Sequence, residues 1–142
     1  MVINTEKYTI TDAKGIILDN VEEIRNLLKQ TYWAKNRSLK EIERSVQNSL
    51  CYAVFDVTTN RIIAFSRIVT DYVSVFYLCD VVVDEKYRGR GIAKMMLDWI
   101  MKDEIKLQGL KGLLFTKDAH GLYSKYGFEN SNRCMCKFTD NE

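Results

Sequence analysis

Proline is absent from this chain of 142 residues, although average usage predicts about seven in a chain of that length. The absence excludes Pro-rich linkers, polyproline recognition segments and cis-proline turns. Histidine occurs once, as His120, and none of the four cysteines belongs to a C-x-x-C pair. Because the usual ligand spacings of zinc sites are missing, we expect no metal centre.

An excess of charge of one sign is nearly absent as well. Lys and Arg total 21 and Asp and Glu total 19, so the formal net charge is +2 at pH 7. This balance gives no global field for holding a nucleic acid or an anionic membrane, and any anion site must therefore be local.

Long apolar runs are also missing. No run approaches the roughly 18 residues of a membrane span, and Glu6 and Lys7 lie where a secretory signal needs apolar residues. We therefore expect a cytoplasmic protein that does not enter a membrane.

What is present is the composition of a folded domain, with 46% hydrophobic and 28% charged residues. The length predicts one domain, residues 1–142. A chain of this size buries roughly two thirds of the surface that its unfolded form exposes, so a core is expected without disulfides.

Two helices are predicted in the first third of the chain. The first follows Asp19 and Asn20, either of which can cap it, and runs to about Thr31 with apolar residues at helical spacing. The second begins with the pattern Ser38-x-x-Glu41, which forms a capping box. Residues 32–37 make an aromatic and basic connector between the two.

From residue 51 the pattern changes to β-rich runs. Residues 51–58 and 61–70 are separated by two residues and predict a hairpin. Residues 73–83 are almost continuously apolar, which is typical of a central strand covered on both faces. The strongest helix signal starts at Ile92, where apolar residues recur at i, i+3, i+4, i+7 and i+8.

A short strand at residues 110–116 follows that helix and is expected to pair in parallel with the strand at 73–83. A helical turn is predicted at 121–126, and a last hairpin is predicted from Phe128 through residues 134–138. The whole order predicts an α+β fold with a mixed, mostly antiparallel sheet flanked by helices.

The most informative segment comprises residues 81–93, a strand, a glycine-punctuated turn and the start of an amphipathic helix. A helix N-terminus leaves backbone N–H groups without partners, and Gly89 and Gly91 let an anion approach the backbone closely. Local positive charge is added by three side chains: Arg88, Arg90 and Lys94.

Two segments resemble a known family. The Rossmann and Walker phosphate-binding patterns are absent, but Arg88-x-x-Gly91-x-Ala93 resembles the pyrophosphate-binding motif Q/R-x-x-G-x-G/A of the GNAT superfamily of acetyl-CoA-dependent N-acyltransferases. Residues 122–128 resemble the superfamily's L-Y-x-x-x-G-F segment. The order of elements from residue 51 to residue 138 also resembles that fold.

The resemblance implies a ternary complex in which an amine attacks the thioester of acetyl-CoA directly. Backbone groups of Val81 and Val83 would bind the pantetheine arm as an added strand, and the amide of Val81 would stabilise the oxyanion. The implied cofactor-binding residues are Val81, Val82, Val83, Arg88, Gly89, Arg90, Gly91, Ile92, Ala93, Lys94 and Tyr123.

The resemblance also makes Tyr123 the candidate general acid, since a phenol can protonate a departing thiolate; its alternative is a core aromatic. Two candidates remain for the base. Asp80 interrupts an apolar strand, where burial would raise its pKa, or it is a structural carboxylate bound to backbone or to an Arg. His120 is the other candidate, and a relay through water is a third route.

The acceptor is expected over Tyr32, Trp33 and Arg37, with Asp71 and Tyr72 opposite. The aromatic side chains would hold the apolar body of an amine, and Asp71 its charge; alternatively, Trp33 is a hydrophobic staple of the helix junction. The resemblance allows small-molecule and protein amines as acceptors.

Other interpretations of the same segments remain open. Cys79 could pass the acyl group through its thiol, but strand alternation places it opposite Asp80, which favours a core cysteine. The rival function is a non-catalytic acyl-CoA-binding sensor or interaction module. Nucleic-acid binding is a distant third, and the C-terminal strands could form a homodimer interface.

Overall fold

The computed structural model describes residues 2–103 and 105–139. Within these ranges, six strands form one sheet in chain order. Their bounds are Val2–Asn4 (β1), Tyr8–Thr11 (β2), Leu50–Asp56 (β3), Arg61–Thr70 (β4), Val75–Val83 (β5) and Lys111–Leu113 (β6). All neighbours pair antiparallel except β5 and β6, which are parallel. The predicted mixed, mostly antiparallel sheet is therefore confirmed.

Five α-helices surround the sheet in the described part of the chain. Their bounds are Lys14–Asp19 (α1), Val21–Leu28 (α2), Leu39–Gln47 (α3), Ile92–Asp98 (α4) and His120–Ser124 (α5). The helix α4 continues into a π-helical turn, Trp99–Asp103, and a 3-10 turn, Glu85–Tyr87, precedes it. Among the described residues, no helix combines the length and the apolar character needed to cross a bilayer.

The predicted capping box at the start of α3 is confirmed. The Ser38 Oγ accepts from the Glu41 amide at 3.1 Å, and the Glu41 carboxylate accepts from the Ser38 amide at 3.0 Å. Of the two predicted capping residues, Asn20 occupies the N-cap position of α2, but its side chain makes no capping hydrogen bond. Its side-chain amide donates to the Ile16 carbonyl at 2.8 Å, because α1 precedes α2 and ends at this residue.

Two apolar clusters cover the two faces of the sheet. One lies beneath α1, α2 and α3 and buries Ile17, Ile24, Leu27, Leu28, Ile42, Val46 and Phe65. The other lies beneath α4 and buries Tyr52, Ile68, Leu78, Ile92, Met96, Leu97 and Ile100. Because both faces are covered, β4 and β5 are apolar almost throughout, as predicted for a central strand.

The predicted C-terminal hairpin is wrong. The structure contains no strand in residues 128–139, and every side chain from residue 129 to residue 139 is exposed. A strand needs a neighbour to pair with and a core face to cover. Residues 134–138 have neither a strand to pair with nor a core face to cover. Among the described ring pairs, Phe138 contacts only the ring of Phe115.

Two irregularities of β5 determine where a ligand can bind. Its pairing with β6 ends where Tyr77 lies opposite Leu113, so the second half of β5 has an edge that β6 leaves uncovered. The register with β4 also shifts, because Phe65 pairs with Val82 but Arg67 pairs with Cys79. This β-bulge lies within the half of β5 that has the uncovered edge.

Candidate active site

The glycine turn between β5 and α4 forms an open cradle. Gly89 and Gly91 have φ angles of 80° and 78°, in the left-handed region that favours glycine. Gly91 is the N-cap of α4 and supplies no side-chain cap, so the first-turn amides lack a capping partner of that kind. A Cβ at either glycine would meet no protein atom within 4 Å. There is room for a ligand against the backbone.

The basic side chains of the turn have different partners. The Arg88 Nε donates to the Val83 carbonyl at 3.1 Å, and the Arg90 guanidinium lies 4.9 Å from the centre of the Tyr87 ring. Lys94 forms an ion pair of 2.8 Å with Asp98. Arg88 and Arg90 are exposed and lack a carboxylate partner among the described ion pairs, so they carry the local positive charge of the cradle.

The uncovered edge of β5 leads from this cradle to the bulge. Val81 and Val83 are half-buried and pack against the cluster beneath α4. Since backbone groups at an unpaired strand edge are free to bind an extended chain, this edge has the geometry needed for an added strand. The cradle, the edge and the bulge lie along one path.

The bulge contains Asp80 at a φ of 54°. Its carboxylate accepts hydrogen bonds from the Trp33 indole at 3.0 Å, from the Arg37 guanidinium at 2.5 Å and from the Arg67 Nε at 2.9 Å. Arg67 also donates to the Ser49 hydroxyl at 3.0 Å. We call these five residues the Asp80 cluster.

The Asp80 cluster keeps its carboxylate ionised. Burial would raise the pKa of Asp80, but the hydrogen bonds and charges of Arg37 and Arg67 outweigh burial and lower the pKa below its ordinary value. The Asp80 side chain is only 1% exposed. A carboxylate held in this way is a poor proton acceptor, and the geometry matches the structural alternative that the sequence left open.

Tyr123 and His120 lie on α5 with different environments. Tyr123 is buried against the Phe128 ring, with centroids 6.2 Å apart. Burial, together with the Asp118 charge, raises the pKa of Tyr123 to about 12, so its phenol stays protonated. His120 is exposed at the first residue of α5.

The predicted acceptor residues of the connector lie over the bulge. The Tyr32 and Trp33 rings meet edge to face at 5.0 Å, and both are exposed, at 51% and 38%. The Lys117 ammonium lies 4.2 Å from the centre of the Tyr32 ring. The connector therefore joins the Asp80 cluster to the loop between β6 and α5.

Asp71 and Tyr72 occupy the turn between β4 and β5. The Asp71 carboxylate stabilises this turn, because it accepts hydrogen bonds from the Ser74 hydroxyl and from the amides of Val73 and Ser74. These hydrogen bonds hold the pKa of Asp71 well below its usual range. Tyr72 lines a cavity of about 180 Å³ together with Ser49 of the Asp80 cluster.

The expected separation of Cys79 from Asp80 is wrong. The bulge breaks the strict alternation of β5. Cys79 lies directly opposite Arg67 in the register with β4, and the Arg67 side chain also binds Asp80. Burial raises the pKa of Cys79 to about 12. Because the thiolate is the nucleophilic form, this environment favours the interpretation of Cys79 as a core cysteine.

The described residues also contain no group of three or more His, Cys, Asp or Glu suited to a metal ion.

Sequence reasoning missed three residues of this region: Ser49, Arg67 and Lys117. Arg67 offered a signal, since it is a charged residue within an otherwise apolar strand, as Asp80 is. Two opposite charges in adjacent buried strands indicate a pair. Ser49 and Lys117 offered none, because only the tertiary contacts bring them to the connector and the bulge.

Residues 47–130, more than half of the chain, match the family model described as an acetyltransferase (GNAT) domain. The chain belongs to the GNAT acetyltransferases. A protein of Xanthomonas campestris pv. campestris, assigned to the GNAT family, has 34% identity with this chain and a TM-score of 0.85, over 97% of both chains.

Two other similar proteins share less of the sequence. An uncharacterized ycf52-like N-acetyltransferase of Prochlorococcus marinus is 24% identical, covering 94% of this chain and 77% of its own length. The glucosamine-6-phosphate N-acetyltransferase of Arabidopsis thaliana is 21% identical with a TM-score of 0.69, covering 95% of this chain and all of its own. At that identity the likeness shows the fold alone.

Proposed function

We propose that this GNAT protein transfers an acetyl group from acetyl-CoA to a primary amine by direct attack in a ternary complex. The single observation that carries the proposal is the continuous path from the glycine cradle along the uncovered β5 edge to the bulge. At one end of this path, the glycine cradle has the space and the positive charge to bind a pyrophosphate. At the other end, the bulge contacts the aromatic connector. Residues 1–142 would form one N-acetyltransferase domain.

The residues present fit the proposed cofactor. The cradle leaves open space above Gly89 and Gly91, and the α4 amides with Arg88 and Arg90 would hold the pyrophosphate. The edge that β6 leaves uncovered at Val81 and Val83 would bind the pantetheine arm through backbone groups. The Val83 carbonyl accepts from Arg88 in this structure, and the ligand would replace that hydrogen bond. Acetyl-CoA, when bound, supplies the activated acetyl thioester.

The bulge provides the electrostatic part of the mechanism. Asp80 adopts a left-handed conformation, which turns the chain just before Val81 and breaks the pairing with β4 there. An amide released from the ladder is available to a developing oxyanion, and Val81 is the residue proposed for this role. The Asp80 cluster would act as a positioning group that holds this amide.

Proton transfer would involve two groups. Tyr123 remains protonated to high pH and would donate its proton to the departing thiolate. The amine must lose a proton before attack. Since Asp80 is engaged by two arginines, water is the acceptor that this geometry favours, with the exposed His120 as the remaining protein candidate.

The glycine cradle offers a matched test of cofactor binding. Gly91 and Gly109 both have φ near 80° and open space at the Cβ position, so Asp at either position costs similar backbone strain. A ligand at a hundred times its Kd adds about 2.7 kcal/mol to stability. We expect acetyl-CoA to raise the Tm of wild type and of Gly109→Asp, but not of Gly91→Asp, by differential scanning fluorimetry.

The opposite outcome would remove the proposal. If saturating acetyl-CoA fails to shift wild type, the cradle is only a charged turn. If it shifts the three proteins equally, the ligand binds elsewhere. Release of free CoA thiol with an amine panel then separates transfer from the rival function, since a sensor module would bind the cofactor and release none.

A further inference from the structure

Building on the proposed acyl transfer, we propose that the acceptor is a small primary amine that also carries an anionic group, which binds the guanidinium of Arg37. A carboxylate and a phosphate share the required chemistry, since both bind a guanidinium through paired hydrogen bonds.

The surface over the bulge is built from cations and aromatic rings. We call Tyr32, Trp33, Arg37 and Lys117 the acceptor surface. Its members are linked in a row, because Lys117 lies over the Tyr32 ring, Tyr32 meets Trp33 edge to face, and Trp33 and Arg37 bind the two oxygens of one carboxylate. A ligand on this surface is therefore in reach of both rings and the guanidinium.

The charge balance of this surface favours an anion. In the Asp80 cluster, two guanidiniums share one carboxylate, so one positive charge is left over within the cluster. The exposed Glu41 carboxylate of α3 also acts on Arg37, but it is engaged by the Ser38 amide at 3.0 Å. Lys117 adds positive charge beside the Tyr32 ring, but the cation that lies at the bulge itself is the guanidinium of Arg37, which binds Asp80.

Differences in exposure decide which of these charges a ligand meets. The Arg37 side chain is 27% exposed, whereas those of Arg67 and Asp80 are 14% and 1% exposed. The carboxylate is shielded by the groups that bind it. A ligand approaching the bulge consequently contacts a guanidinium, which binds carboxylate and phosphate through paired hydrogen bonds.

The same charge acts on the amine of the acceptor. A positive surplus disfavours an ammonium ion nearby and favours the neutral amine that the reaction requires. It also repels acceptors with a second ammonium group, such as polyamines. Attraction must then come from another part of the molecule, and an anionic group beside Arg37 provides it.

Two matched series of amines test the inference. The first compares L-phenylalanine with 2-phenylethylamine, and the second compares 5-aminopentanoate with pentylamine and 1,5-diaminopentane. The compound 2-aminoethyl phosphate tests phosphate against carboxylate. Binding to the CoA-saturated protein is measured by calorimetry, and acetylation is measured separately as kcat/KM from CoA release.

We expect the anionic member of at least one series to bind and react about tenfold better than its neutral partner, because a hydrogen bond to a charged group is worth about that factor. The diamine should be the poorest. In Arg37→Gln the preference should vanish, and Arg37→Lys should restore part of it. Arg44→Gln, which removes an exposed arginine of α3, is the control and should keep the preference.

The ratio of kcat/KM for the anionic amine to kcat/KM for its neutral partner separates recognition from damage to the fold. A misplaced Asp80 cluster would lower kcat/KM for both amines equally. Equal or better reaction of neutral amines or the diamine would overturn the inference and leave acyl transfer intact. Binding of anionic amines without acetylation would support the anion site and overturn the transfer. If no amine binds the CoA complex, the inference fails.

Discussion

Asp80 combines a rare backbone conformation with a buried charge. Its φ of 54° lies in the left-handed region, where Asp and Asn are the best tolerated residues after glycine. The carboxylate compensates two partly buried guanidiniums from different elements. One side chain therefore fixes the bulge, the end of the connector and the position of Arg67 together.

Replacing this carboxylate with an amide should be costly although the backbone tolerates it. We expect Asp80→Asn to lower the free energy of unfolding by about 3 kcal/mol, because two guanidiniums lose their counter-charge in a buried site. Urea unfolding at pH 7 measures the change. Asp19→Asn, at the exposed C-terminal end of α1, is the control and should change stability by less than about 0.5 kcal/mol.

The stability difference between wild type and Asp80→Asn should depend on pH. The folded-state pKa of Asp80 is lowered, so its contribution is complete above the unfolded value of about 4 and is lost as the pH falls through the folded pKa. The stability difference between wild type and Asp80→Asn should be constant from pH 8 to about 5 and shrink below about 4. A constant difference down to pH 3 would contradict this.

The proposed general acid, Tyr123 of α5, can be compared with a second tyrosine nearby. Tyr126 lies three residues further along the chain, just after α5. Tyr126 donates to Asp98 at 2.6 Å and braces α4. We expect Tyr123→Phe to lower kcat about a hundredfold without changing the Kd of acetyl-CoA, and Tyr126→Phe to lower stability by about 1 kcal/mol while keeping kcat. A normal kcat in Tyr123→Phe would leave Tyr123 a core aromatic.

At the scale of elements, prediction succeeded where the signal was local and long enough. The helices α2 to α4 and the strands β3 to β5 follow from periodicity and, for α3, from a capping box. It failed for α1, a short helix with no side-chain cap, and for the last hairpin. The short β6 and α5 overlap the segments predicted for them, whereas α1 and the C-terminal segment depend on partners that the sequence does not reveal.

The capping box of α3 has a measurable value. We expect Ser38→Ala to lower the free energy of unfolding by about 1 kcal/mol, since the Glu41 amide loses its capping partner, the Ser38 hydroxyl. Ser45→Ala is the matched control, because the Ser45 hydroxyl donates to Ile42 within the helix and caps nothing. Equal effects of the two substitutions in urea unfolding would show that the box adds no stability.

At the scale of the molecule, the site lies where three parts meet. The cradle belongs to the α4 side of the sheet, whereas the connector belongs to the side of α2 and α3. The bulge in β5 joins them, because a strand in the middle of the sheet reaches both faces. Substrates bound on opposite sides of β5 could therefore meet at the bulge.

The sequence by itself determined the cradle and the family, because a glycine turn before an amphipathic helix is encoded by neighbouring residues and follows local rules. Only the tertiary structure decided what Asp80 does. Its pKa and its role depend on Arg37, 43 residues away along the chain, and on Arg67. Burial alone would have raised that pKa, but two guanidiniums brought in by the fold reverse the sign.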